Sequence, residues 1–509
     1  MSSSISWASL VKNARFLVLV ASLGVALSFH VFASPEGRGM GLAMFGFLVM
    51  GLLIALVRYQ VEAPNTWARV FLAPAAAFFL ATGLYSNDMT RFFWPALGVL
   101  SLMLYSYWSS VAPMSWKAAP SFVRASFAFE GVGLLASTKE ALIPPIRSSD
   151  RWKSVLMGAV IAFPVLAILA MLFASADPAF DLALRSLFDG SLFAWLKNPT
   201  LILDVLIFAF ALRYGWLLVT RQREQRAVLD GASRDEYKAD AAMYTTAFVL
   251  VNVLVAVFVW FQAGAFFGGE SWMRLAEDIT YADRARRGFF EMVFAGGFVG
   301  LASLTAFYAG ALHDRWTRLS FTVLTAQVGV ILLSAAWRLS LYVGAYGLTV
   351  DRVWAAILMV YVALCFGLFL AVLYTRRSVA DLLKLGTVGT LGFLACISLW
   401  NMDGAIARVN VDRFIARSTA PLDVPYIMNG LSMDADLQKQ RLMKQLQDRV
   451  TQDRDLLYWL TQAQRDSADQ RKELQTRFEE SGWRGVSLRE WAIVRFGSAV
   501  KNGGLVDNL

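Results

Sequence analysis

The chain has 509 residues, of which 57% are hydrophobic, 14% aromatic and only 17% charged, against about 25% charged in an ordinary soluble domain; its mean hydropathy is +0.51. The formal charge is +9, but most of the excess Lys and Arg flanks apolar blocks, where basic residues mark the cytoplasmic side of a membrane and not a nucleic-acid footprint. Two cysteines and two histidines exclude a disulfide framework, a CxxC metal site and a histidine-based metal centre, so neither a metal nor a cofactor is expected.

A membrane span needs about 20 apolar residues to cross a hydrocarbon core of about 30 Å. Lys12 and Arg15 precede an apolar run, 16–33, that ends in Val31-Phe32-Ala33. It resembles a signal peptide, but it is long enough to span and a second span follows at once, so it reads as an uncleaved first helix. Further spans are predicted at 40–57, 68–85, 92–112, 154–176, 199–220, 243–267, 289–311, 320–343, 353–374 and 385–401. The runs are continuously apolar and do not alternate, which implies helices and not a barrel. The predicted fold class is all-α: a polytopic membrane helix bundle of about eleven transmembrane helices over residues 1–401, surrounded by lipid, followed by a small soluble helical domain over 402–509.

Between spans, the connector 113–153 holds a semi-apolar stretch, Phe122 to Leu135, that fits an interfacial helix. Ser137 with Glu140 and Ser233 with Glu236 fit capping boxes, and Pro144-Pro145 breaks any helix before the fifth span. Gly296 and Gly300 have the spacing that lets helix backbones approach, and Gly386, Gly389 and Gly392 line one side of the last span. In the C-terminal domain Leu442, Leu446 and Val450 repeat every four residues as one apolar stripe, while Leu456, Leu457, Trp459 and Leu460 give a second packing surface. Gly482 reads as a helix end, and Ser487 with Glu490 as the capping box of the next helix.

With the N-terminus in the cytoplasm, twenty connector Lys and Arg fall inside and nine outside. That bias favours a cytoplasmic N-terminus. An odd number of spans then puts the C-terminal domain outside, in the periplasm if the protein lies in the inner membrane of a Gram-negative cell.

An ionisable group inside a span is costly unless it meets a partner or water. Asp204, Arg213, Glu291 and Arg338 are such groups, and Asn252, Gln262 and Gln327 are uncharged polar residues in spans. In the expected topology Asp204, Gln262, Glu291 and Arg338 share a depth near the outer surface. Together with Asp283, Arg286, Arg287 and Tyr342 they make up a candidate polar vestibule, acidic through Asp204 and Glu291 and cationic through the arginines, whose planar forks suit carboxylate or phosphate oxygens. The plainer alternative is that these groups pair with one another and hold the bundle together. No P-loop, HExxH or nucleophile-elbow motif is present, and no catalytic residue is identified.

The stretch from Tyr281 to Glu291, then Arg338-Leu-Ser-Leu-Tyr342 and Tyr346-Gly-Leu-Thr349, resembles the bacterial polytopic membrane proteins grouped as domain of unknown function 4173, related to the 4153 group. Asn410-Val-Asp-Arg413, Leu431-Ser-Met-Asp-Ala435 and Gly482-Trp-Arg484 are similar to that family's later motifs. The resemblance implies an architecture and no catalytic role.

Three functions follow as alternatives. The first is a structural or regulatory inner-membrane protein whose extracytoplasmic domain, 402–509, binds an envelope protein. The second is a transporter or ion-coupled carrier using the vestibule, although no internal repeat or paired broken helices support it. The third is a membrane enzyme acting on a lipid-linked substrate, which requires a carboxylate beside a cavity.

Overall fold

A computed structural model describes residues 31–32, 39–60, 66–110, 151–187, 241–267, 289–308, 311–377, 379–416, 423–449 and 454–496. Among these the regular secondary structure is helical, with no strand. The helices are α1 (Met40–Gln60), α2 (Leu72–Leu84), α3 (Phe93–Ser110), α4 (Arg151–Ala176), α5 (Pro178–Leu187), α6 (Ala241–Phe267), α7 (Phe289–Tyr308) and α8 (Arg315–Tyr346). They continue with α9 (Val350–Tyr374), α10 (Val379–Ser398), α11 (Met402–Ala416), α12 (Val424–Asn429), α13 (Asp436–Arg449), α14 (Arg454–Ser481) and α15 (Leu488–Phe496).

Nine of the eleven predicted spans coincide with helices; the first and sixth, 16–33 and 199–220, lie outside the described residues apart from Val31 and Phe32. Among the described residues seven helices suit a membrane crossing by length and composition: Met40–Arg58, Trp67–Leu84, Ser154–Ala176, Ala241–Gln262, Arg315–Tyr346, Val350–Tyr374 and Asp381–Ser398. Their outward side chains are large and apolar. Phe163 is 69% exposed, Trp260 76% and Leu333 72%, an exposure water penalises and lipid does not. The interfacial stretch 122–135 and the capping boxes at Ser137 and Ser233 lie outside the described residues.

The chain forms two compact units. One holds residues 1–118, 346–350 and 386–509; the other holds 119–345 and 351–385. The C-terminal helices α11–α15 therefore belong to the same compact unit as α1–α3.

In the first unit α1, α2 and α3 pack around Phe79. A Cβ on Gly46 of α1 would lie 2.3 Å from its ring, and one on Gly98 of α3 2.7 Å from it. Two missing side chains thus make the slot that the ring fills. Among the C-terminal helices Leu442 and Leu446 of the predicted stripe are fully buried, while Val450 lies outside the described residues. Helix α14 ends at Ser481 with Gly482 at φ +60, the left-handed turn that glycine accepts without strain. At α15 the predicted capping box forms in full: the Glu490 amide donates to Ser487 Oγ at 3.1 Å and the Ser487 amide to Glu490 Oε2 at 2.9 Å.

In the second unit α4 and α6 approach so closely at Gly158 that a Cβ there would lie 2.4 Å from the Met243 carbonyl oxygen. Gly296 and Gly300 of α7 face Val328, Val362 and Phe366 of the same chain, each at ordinary van der Waals distance from a hypothetical Cβ. Their spacing thus serves packing inside the bundle. Asp314 begins α8 as its N-cap, accepting from the amides of Trp316 and Thr317 at 2.9 and 3.0 Å. The Thr317 amide chiefly holds its carboxyl below the usual carboxylate range.

Candidate functional site

In the second unit, the ends of three helices bring a polar cluster together. Each contributes a pair of residues four apart, which places both on one helix face: Phe173 and Asp177 at the end of α4, Phe258 and Gln262 on α6, and Ser334 and Arg338 on α8. Arg338 Nη2 donates to Gln262 Oε1 at 2.6 Å and to Asp177 Oδ2 at 3.2 Å, and Nη1 donates to the Ala176 carbonyl at 3.4 Å. Gln262 Nε2 donates to Asp177 Oδ2 at 3.4 Å and Ser334 Oγ to Gln262 Oε1 at 3.0 Å. One turn below, the rings of Phe173 and Phe258 stack at a centroid distance of 4.0 Å with 5° between their planes. Phe180 stands edge-on to both.

The electrostatics of the cluster are balanced. One guanidinium faces one carboxylate, and Gln262 bridges them with both ends of its amide. Ala176 is the last residue of α4, so its carbonyl is one that an α-helix leaves without an internal partner, at the negative end of the helix dipole. Asp177 also works on a second helix: its Oδ1 accepts from the amides of Ala179 and Phe180 at 3.0 and 3.3 Å. That makes it the N-cap of α5, with Pro178 at the first helical position, where the missing N–H costs nothing.

Of the predicted vestibule residues, Gln262 and Arg338 meet directly. Tyr342 lies one turn beyond Arg338, with the Arg352 guanidinium 4.2 Å from its ring centroid. Glu291 is half-buried in the first turn of α7. Asp204, Asp283, Arg286 and Arg287 lie outside the described residues, as does Arg213. Sequence reasoning missed Asp177 and Ser334. The signal for Asp177 is the Ala176-Asp177-Pro178 step directly after an apolar run, an N-cap followed by proline.

The first unit holds a second constellation, where the C-terminal helices meet connectors between spans. The Asn410 side chain pairs with both backbone groups of Leu348: its Oδ1 accepts from the Leu348 amide at 2.8 Å and its Nδ2 donates to the Leu348 carbonyl at 2.7 Å. Gly347 turns with φ +84, and a Cβ there would sit 2.8 Å from Asn410 Oδ1. The Val350 amide donates to the Tyr426 hydroxyl at 2.8 Å. After α2, the Tyr85 hydroxyl donates to the Leu399 carbonyl at 2.6 Å and the Ser86 amide to Asp434 Oδ2 at 2.8 Å. Before α1, the Met40 amide donates to the Val486 carbonyl at 3.0 Å, and Arg484 Nη1 to the Val31 carbonyl at 2.9 Å. The motifs that stood apart in sequence thus meet: Tyr346-Gly-Leu-Thr349 with Asn410-Val-Asp-Arg413, and Leu431-Ser-Met-Asp-Ala435 with the connector at Ser86.

Beneath these contacts lies Lys439, fully buried, with Nζ donating to the carbonyls of Met428 and Leu431 at 2.8 and 2.7 Å and to Gln470 Oε1 at 3.0 Å. Three donors meet three acceptors, so the ammonium serves as the C-terminal cap of α12. Burial pulls its pKa down to about 8. Among the described residues no group of three His, Cys, Asp or Glu side chains is arranged to hold a metal ion.

A family model, Domain of unknown function (DUF4153), matches residues 19–442. The chain belongs to this family. The match begins within the first predicted span, takes in all the later ones and continues through α11, α12 and the first half of α13, so Asn410 and Asp434 fall within it. No curated protein and no solved structure matches the chain.

Proposed function

We propose that this is a structural or regulatory protein of a bacterial inner membrane, with a cytoplasmic N-terminus and with residues 402–509 forming an extracytoplasmic domain that binds an envelope protein. The narrower 4173 grouping is part of this reading, supported by its ordered motifs.

One observation carries the proposal. The C-terminal helices are hydrogen-bonded to Val31 near the end of the first predicted span and Met40 at the start of the second, and to the connectors after the third and ninth through Ser86 and Leu348. In an alternating bundle these connectors share one side of the membrane. The excess of Lys and Arg on the other connectors supports making that shared side the outer one. Leu457 of α14, expected in a packing surface, is instead 52% exposed, beside Tyr458 at 64%, and these two side chains offer a partner its apolar contact.

The carrier reading rests on Arg338. A buried arginine near the outer ends of three helices suits an anion path, but here it pairs with Asp177 and also donates to Gln262 and the Ala176 carbonyl, which supports a structural role for the cluster.

Photo-cross-linking in living cells tests the proposal, with a benzophenone amino acid at Tyr458 and, as control, at the lipid-facing Leu333. The expected result is a discrete protein adduct from position 458 alone, lost in the Leu457→Asp variant at equal abundance. No adduct from 458, with an Arg338→Lys variant that is abundant yet inactive in vivo, would overturn it in favour of transport.

A further inference from the structure

Two buried carboxylates in the first unit share a single hydroxyl hydrogen. Ser432 Oγ lies 2.5 Å from Asp403 Oδ2 and 3.2 Å from Asp434 Oδ2. One O–H cannot satisfy both, and like charges this close and this buried do not both ionise readily. Asp403 has further help from the Ser432 amide at 3.1 Å, whereas Asp434 accepts from the Ser86 amide at 2.8 Å. The other oxygen of Asp434, Oδ1, is buried with no hydrogen-bond partner. So is Ser86 Oγ, in a residue only 8% exposed. A carboxylate oxygen buried without a donor is where an added proton is most stabilising, because protonation removes a buried charge that nothing there compensates.

The surroundings do not neutralise Asp434 by other means. Asp403 from α11 and Glu490 from α15 oppose its ionisation; Arg489 from α15 and the Ser86 amide favour it. Arg489 also stands over the Tyr85 ring, 5.1 Å from its centroid. Glu490 accepts from Arg477 at 2.8 Å, and Lys439 of α13 is engaged with Met428, Leu431 and Gln470. Burial dominates, and it lifts the Asp434 carboxyl to about 7 from an ordinary 3.8.

We propose that Asp434 is the proton-binding element of a pH-sensitive clasp: protonated, it stays buried under the connector after α2 and the clasp is closed; ionised, it favours release of that connector, because rehydrating the buried charge outweighs the stronger bond from the Ser86 amide. The proton adds to Oδ1 from water and returns to water, with no other bond made or broken. Only the connector carrying Tyr85, Ser86 and Asn87 is released; the Asn410–Leu348 pair contains no titrating group and stays closed. The inference holds whatever the C-terminal helices bind.

Hydrogen exchange of the full-length protein in detergent micelles tests it, with protection of the amides of 85–91 referred to an unfolded control at each pH. In the wild type, protection is expected to fall about tenfold or more from pH 5.5 to pH 8.5. Asp434→Asn, which keeps an acceptor for Ser86, is expected to hold high protection at both. Asp403→Asn removes the neighbouring like charge and is expected to move the midpoint to lower pH by about one unit. Flat protection in the wild type, an Asp434→Asn variant that follows the wild-type profile, or an unmoved midpoint in Asp403→Asn would each overturn the proposal; if Asp434→Asn does not fold, the wild-type profile and Asp403→Asn decide it.

Discussion

The Asn410 side-chain amide pairs with the backbone of Leu348 on both its faces, at 2.8 and 2.7 Å, so one residue of α11 fixes the turn between two long apolar helices. Only asparagine and glutamine carry a primary amide, which sets an acceptor oxygen beside a donor nitrogen at every ordinary pH, and glutamine is one methylene longer. Asn410→Asp is expected to keep the bond from the Leu348 amide and lose the bond to its carbonyl, and Asn410→Leu to lose both. In thermal unfolding the losses are ordered Leu beyond Asp, with Asn410→Leu costing about 1–3 kcal/mol because two part-buried backbone groups lose their partner.

Arg338 and Asp177 give the second prediction. Removing one partner of a buried ion pair strands the other, and Arg338→Leu or Asp177→Leu alone is expected to cost about 3–5 kcal/mol. The double variant removes both charges and is expected to lose less than the sum of the two. A double-mutant cycle read by unfolding in detergent measures the coupling; strict additivity would mean that the pair does not hold α4 to α8.

Much of this was legible in the sequence, for reasons that differ by residue. Spans are written in composition, since lipid admits only long apolar runs, and the helices over 40–60 and 350–374 match their predicted spans closely. Ser487 and Glu490 were legible because a capping box is a local motif of four residues. Gln262 and Arg338 stood out because polar atoms inside a span need a reason to be there. Asp177 did not stand out, because it sits one residue past the end of α4 and looks like an interfacial residue. Asp434 was visible only as one residue of the motif Leu431-Ser-Met-Asp-Ala435. Its burial comes from Ser86, 348 positions away in the chain, and no local pattern encodes a contact at that separation. The grouping of α11–α15 with α1–α3 was hidden for the same reason.

Helix contact at Gly158 is testable by size. Gly158→Val would put atoms within 2.4 Å of the Met243 carbonyl and 2.8 Å of the Thr246 Cβ, and overpacking of this kind typically costs about 1–3 kcal/mol. Gly297→Ala, where nothing lies within 4 Å, is expected to be neutral or mildly stabilising because alanine is the better helix former. Equal melting temperatures for the two variants would contradict the close crossing of α4 and α6.

Lys439 sets a pH dependence with a definite sign. Its folded value of about 8 lies below the ordinary 10.5, so between these values the unfolded chain binds more protons than the folded one. Stability is therefore expected to rise as pH climbs from about 8 to 10.5 and to level off above that. Lys439→Met is expected to be less stable throughout, since the Met428 and Leu431 carbonyls lose their donor, and to lack this rise. Unfolding midpoints across pH 7.5–11 for the two proteins check it.

The most direct measurement of the account is the sidedness of the C-terminal helices. In a Cys365→Ala/Cys396→Ala background, Glu479→Cys on α14 and Arg377→Cys after α9 are labelled in intact cells with a maleimide that crosses the outer but not the inner membrane. The account predicts that position 479 reacts at once and position 377 only after the inner membrane is permeabilised. The reverse pattern, or reaction at both positions in intact cells, would contradict it.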